Sequence, residues 1–217
     1  MSSKAFSNLA PTERHMKNYE EQYYLLLKNP FRNDLISLKA TLNTSRRDFR
    51  IIKLDYGDGP VFFTLSDKSS VFNLNKIQFT GIFPVVSSDV AELLAQYKVR
   101  SFQLFPAVII DQNDNWHEDY FYFNLYDELD CIDFEKSKIR NYDPSDYDHE
   151  VIEYKFNNDI LDAIDVNERL IILPEGVFGG SLIFHEKIVE KLKKYIDKNS
   201  LSFYKLSDYK LGDEYKG

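Results

Sequence analysis

The sequence predicts a single α+β domain, mostly antiparallel sheet with a few helices packed on it. Short runs rich in aromatic and β-branched residues recur along the chain, closed by Pro, Gly, Asn or Asp. Only two segments place apolar residues at helical spacing. No stretch rich in Pro, Gly or Ser divides the 217 residues, and a hydrophobic fraction of 43% with 15% aromatics suffices for one full-sized core.

Residues 1–16 read as a polar lead-in without the apolar centre of a secretory signal. "EEQYYLLLKNP" and "DFRIIKLDYGDGPVFFTL" predict strands, the second interrupted by the turn at Gly57-Asp58-Gly59-Pro60. "FTGIFPVV" is extended and leads into "SSDVAELLAQYK", a helix that Ser87 or Ser88 can cap. Its apolar stripe is Val90, Leu93, Leu94 and Tyr97. "RSFQLFPAVII" and "HEDYFYFNLY", parted by "DQNDNW", predict an antiparallel pair. "NYDPSDYDHE" carries turn chemistry throughout and predicts a loop. Strands are expected in "EVIEYKF" and "RLIILP", and "PEGVFGGS" is expected to be a tight turn. A second helix follows in "HEKIVEKLKKYIDK", with Ile188, Leu192 and Tyr195 on one face, then an extended "LSFYKLSDY".

The net charge is −8, and its placement is uneven. Between Asp111 and Glu150 stand 13 acidic and three basic residues, a balance of −10, against 22 acidic and 24 basic elsewhere. Such a segment repels nucleic acid and anionic membrane and favours a basic protein partner; a merely solvated face is the alternative. No apolar run approaches the roughly 18 residues that span a bilayer. The single cysteine, Cys131, excludes an internal disulfide and suits a reducing cytoplasm.

The residues that carry chemistry in other proteins do not assemble into a motif. His15, His117, His149 and His185 stand singly, without metal-ligand spacing, and His185 reads as a capping or surface residue. Cys131 follows Asp130, whose charge raises a thiol pKa, so a buried structural role is expected. "PEGVFGGS" lacks the Lys-Ser/Thr ending of a phosphate loop. Asp143, Asp146 and Asp148 are close in sequence, but the twelve-residue calcium loop with its central glycine is missing. The expectation is no catalytic residue, no metal and no cofactor.

Several segments, taken in order, carry a family resemblance. They are "IFPVVSSDVAELLAQY", "FQLFPAVI", "DYFYFNLYDELDCIDFEKSK", "RLIILPEGVFGGSLIFHEKIVEKL" and "LSFYKL", covering roughly residues 80–206. In the third, Tyr120, Phe121, Tyr122, Asn124, Asp133 and Ser137 fall in the expected order. The chain resembles a family of bacterial immunity proteins of polymorphic toxin systems, a myxobacterial-type domain once catalogued as of unknown function. Cys131 departs from it, standing where a small residue is usual. The resemblance implies a cytoplasmic antitoxin in interbacterial competition, paired with toxins delivered by contact-dependent or type VI-like secretion. It would bind the C-terminal domain of its cognate toxin, stoichiometrically and without chemistry of its own.

Charge and loop chemistry, rather than the family, choose the contact residues. They are Asp119, Asp127, Glu128, Asp130, Asp133, Asp143, Asp146 and Asp148, with Tyr142 and Tyr147 as aromatic anchors. Asp133 lies inside the family motif and so has a structural reading too. Two other functions stay open at this point: an acidic adaptor or scaffold, and a hydrolase that reverses a toxin's modification.

Overall fold

The computed structural model describes residues 17–32, 37–47, 51–65, 74–81, 83–179 and 181–216. The polar lead-in therefore lies outside the described residues. In chain order the elements are β1 (Tyr23–Lys28), β2 (Leu38–Ala40), α1 (Leu42–Ser45), β3 (Val61–Leu65), β4 (Ile77–Phe79), β5 (Pro84–Ser87) and α2 (Ser88–Leu94). They continue with β6 (Phe102–Ile110), β7 (Trp116–Leu125), β8 (Lys138–Ile139), β9 (Val151–Glu153), α3 (Asn158–Asp162), β10 (Ile171–Ile172), β11 (Ile183–His185), α4 (Glu186–Leu192) and β12 (Leu201–Lys205).

One sheet runs β2-β3-β6-β7-β5-β4, a second β10-β11-β1-β12, and β8 pairs with β9. Among the described residues, β3–β6 is the one parallel pairing of strands; the rest are antiparallel. The α+β expectation holds.

The four-stranded sheet is apolar on both faces, so it is covered twice. Successive strand side chains point to opposite faces. Leu26 of β1, Ile171 of β10 and Phe184 of β11 enter the larger core, with the six-stranded sheet, α2 and α4. There Phe184 meets Phe123 of β7 at 6.2 Å between ring centroids. Their neighbours Tyr23, Leu25, Ile172 and Ile183 enter a second core with Cys131, Ile132, Tyr154, Phe156 and Leu161. Arg169 is buried at the edge of this second core. It donates to the Tyr23 hydroxyl at 2.6 Å and to the Ile164 carbonyl at 3.1 Å, and its guanidinium lies 4.8 Å from the Tyr19 ring centre.

The helix starts follow the capping logic with one exchange of roles. Ser87 occupies the N-cap of α2, but its hydroxyl donates to Asp89, whose carboxylate takes the Val90 N–H at 3.0 Å. His185 is the N-cap of α4 and accepts from the Lys187 N–H through Nδ1 at 3.2 Å. Burial, then the charges of Arg169 and Lys187, lower its pKa to about 4, so it caps as a neutral ring.

The first half of "DFRIIKLDYGDGPVFFTL" is not a strand. Asp48, Phe49 and Arg50 lie outside the described residues, and Ile51–Leu54 cross the sheet as a strap. Side chains take the place of a ladder partner there. Asn124 Nδ2 donates to the Ile52 carbonyl at 2.7 Å. Gln103, opposite Asn124 on the paired strand, donates to the Leu54 carbonyl at 2.9 Å and accepts the Leu54 N–H at 3.0 Å. Regular strand in "EVIEYKF" and "RLIILP" is likewise short, confined to β9 and β10.

At the β6–β7 turn, Asp111 is buried and used structurally. Its carboxylate is held down to about pKa 2, chiefly by the Asn115 amide and also by the N–H groups of Asn115 and Asn113 and by His117.

Gln103→Ala leaves both backbone groups of Leu54 without a partner, and should lower unfolding free energy by about 2 kcal/mol. Urea denaturation would read this, and a loss below about 0.5 kcal/mol would contradict the strap's dependence on that amide. The low folded pKa of His185 makes its contribution to stability complete above the unfolded value of about 6.5. That contribution is lost as pH falls from there toward 4. His185→Asn, which keeps a capping oxygen, should flatten the dependence of melting temperature on pH in this window; an unchanged slope would show that His185 does not titrate there.

Candidate partner-binding surface

The acidic segment is tied to the second core by its backbone. Leu129 donates its N–H to Leu173 at 2.8 Å and accepts from Glu175 at 3.0 Å. Cys131 is fully buried and accepts from Asn157, and its thiol pKa is pushed up by burial and then by Asp130. Asp133 donates its N–H to Lys155 at 2.8 Å. Further on, the His149 N–H meets the Gly176 carbonyl at 2.8 Å, and the Phe178 N–H meets the His149 carbonyl at 2.9 Å. The loop of "NYDPSDYDHE" is thereby clamped to the turn of "PEGVFGGS".

Around that clamp three large aromatics stand in the open. Tyr142 is 47% exposed, Tyr147 74% and Phe178 67%. Buried His149 packs its ring 5.1 Å from Tyr142 and 4.8 Å from Phe134. Gly176 makes the close approach possible: its φ is +70°, and a Cβ there would lie 3.1 Å from the Phe134 ring.

Carboxylates border these rings. The Glu128 pKa is raised, first by burial and then by Glu175, Asp148 and Asp127, so those three carboxylates all lie close enough to act on Glu128. Asp130, Asp146 and Asp148 are exposed and form no ion pair among the described residues. Asp143 is exposed and shapes the loop, accepting from the Ser145 N–H at 2.9 Å and the Ser145 hydroxyl at 2.7 Å.

The ten residues chosen from the sequence thus fall into three groups. Glu128, Tyr142, Asp143, Asp146, Tyr147 and Asp148 gather at the clamp, with Asp130 two residues after Glu128. Asp127 is partly neutralised by Arg100 at 3.0 Å. Asp133 folds back on the Lys136 N–H and ammonium, at 3.1 and 2.5 Å, as a turn-forming residue. Asp119 is displaced, six residues before the end of β7 and so roughly 20 Å along the strand. Glu175 and Phe178 are brought in by the turn and were not anticipated; the available signal was a large aromatic set among three glycines.

Among the described residues, no three His, Cys, Asp or Glu side chains converge as a metal site, and no helix is long and apolar enough to cross a membrane. An exposed aromatic group inside a carboxylate border has the chemistry of a protein-recognition surface. The sequence profile of an immunity protein family (Imm11) matches residues 6–194, most of the chain. The protein belongs to this immunity protein family, and the role that goes with membership is neutralisation of a cognate toxin. The match begins well before the segments that carried the resemblance and ends before "LSFYKL". No curated protein matches the chain.

Gly176→Ala combines a positive φ with a contact against Phe134, and should cost more than about 1 kcal/mol of stability. Thermal unfolding at matched conditions would detect it, and an unchanged melting temperature would mean the turn does not depend on that glycine.

Proposed function

We propose that the chain is a cytoplasmic immunity protein that inhibits its toxin by one-to-one binding through the surface at Tyr142, Tyr147 and Phe178. The observation that carries this is the coincidence of those exposed rings with carboxylates that form no ion pair among the described residues. Large rings held on a rigid base bury apolar area at low entropic cost. The surrounding Glu128, Asp143, Asp146, Asp148 and Glu175 raise the encounter rate with a basic surface and fix its orientation. A toxin domain that acts on DNA, RNA or a nucleotide cofactor needs a basic surface for its substrate. Occupation of that surface inhibits without any chemical step. The buried, lone Cys131 is compatible with work in a reducing compartment. Delivery by a contact-dependent or type VI-like apparatus would then concern the toxin alone.

Co-purification with the C-terminal domain of the large protein encoded immediately upstream tests the binding. A stable complex weakened by salt supports the proposal, and no complex between two folded partners refutes it. Asp146→Lys together with Asp148→Lys should slow association about tenfold at low ionic strength while dissociation changes less. Stopped-flow mixing over a salt series reads the difference, and an unchanged rate moves the binding face elsewhere.

A further inference from the structure

Between α2 and the strap lies a cleft of about 620 Å³ that the acidic surface does not use. Its floor is Phe102, Leu104 and Phe121, which share one face of the β6–β7 pair. One wall is α2, where Ala91 and Ala95, four residues apart, leave the space that larger side chains would fill. The other wall is Lys53 and Tyr56 of the strap and the turn after it. The Tyr56 ring stacks on Phe105 at 5.1 Å, and its hydroxyl donates to the Leu104 carbonyl at 3.2 Å.

Two features outside the cavity point to the size of its occupant. Ile51 and Ile52, 41% and 39% exposed, stand on the strap just before Lys53, so apolar surface continues past the mouth. A small molecule would leave that rim wet, whereas a protein would cover it. Ile51 also holds φ at +54°, which is rare for a β-branched residue. The Asn124 and Gln103 amides fix the strap just beyond it, so the wall is preorganised.

The cleft is also continuous with the acidic surface. Tyr126 lines it, and the next residue is Asp127, whose carboxylate, paired with Arg100 at 3.0 Å, lies 3.4 Å from the Ser101 hydroxyl beside Phe102 and directly precedes Glu128. Exposed Glu92 places a negative charge on the α2 wall, across the cleft from Lys53 on the strap.

We infer that the cleft is a second contact for the same toxin. It receives an aromatic or long aliphatic side chain carried on a protruding loop, next to a basic residue that faces Glu92. The inference rests on the toxin-binding reading above and adds where shape selectivity arises. The acidic surface would govern encounter, while the cleft governs residence.

Ala95 is exposed, so Ala95→Trp fills the cleft without entering the core. The probe is the C-terminal domain of the large protein encoded upstream. Affinity for it should fall about tenfold or more, mainly through faster dissociation, with the salt dependence of the wild type retained. The Asp146→Lys, Asp148→Lys protein is measured in parallel. If Ala95→Trp binds like wild type while the charge reversal weakens binding, the cleft inference is overturned and the acidic surface stands. If wild type does not bind the toxin domain, both fall. Should Ala95→Trp lower the melting temperature, Glu92→Lys reads the same wall from a solvent-facing position, and unchanged affinity there overturns the inference.

Discussion

Strand β1 sends Leu26 to one core and Tyr23 and Leu25 to the other, and the rest of the chain is arranged around covering it on both sides. A half-buried antiparallel strand shows apolar residues at every second position; "YYLLL" shows them at every one. The six-stranded sheet with α2 and α4 covers the first face. The second is covered by residues from Cys131 to Leu161, a stretch with little regular structure of its own. That stretch stays folded because Cys131, Ile132 and Phe156 are buried and its peptide groups are paired, Asp133 with Lys155, Asn157 with Cys131 and His149 with Gly176. The proposed binding surface is the outer side of this second cover. Its position is thus a consequence of a strand more than a hundred residues earlier in the chain.

Much of this was legible. The β6–β7 pair, α2, α4 and the 141–148 loop follow from period-2 alternation, helical spacing and turn residues, and they occur where those patterns stand. The strap was not legible. Ile51, Ile52 and Leu54 have strand propensity, but their backbone is satisfied by Gln103 and Asn124 about fifty and seventy residues away. Propensity carries no information about such a distant side-chain partner. The same pair also explains an asparagine that ends a tyrosine-rich strand: Asn124 is there to hold the strap.

The site divides along the same line. Exposed carboxylates in a turn-rich loop can be read from composition, and Asp143, Asp146 and Asp148 were. Composition does not distinguish an acid that meets solvent from one consumed by the fold. Asp111 satisfies a tight turn, Asp133 folds onto Lys136, and Asp127 meets Arg100. Phe178 and Glu175 were hidden for the opposite reason, since only the clamp between His149 and Gly176 brings their turn beside the loop.

That clamp is made of main-chain hydrogen bonds, with His149 and Phe134 packed together. The side chains of Asp146, Tyr147, Asp148 and Phe178 face outward from it and form none of the bonds that hold it. A lineage pursued by a changing toxin can therefore rewrite its recognition face residue by residue while the scaffold underneath stays as it is. The fold separates what must be inherited from what is free to diverge.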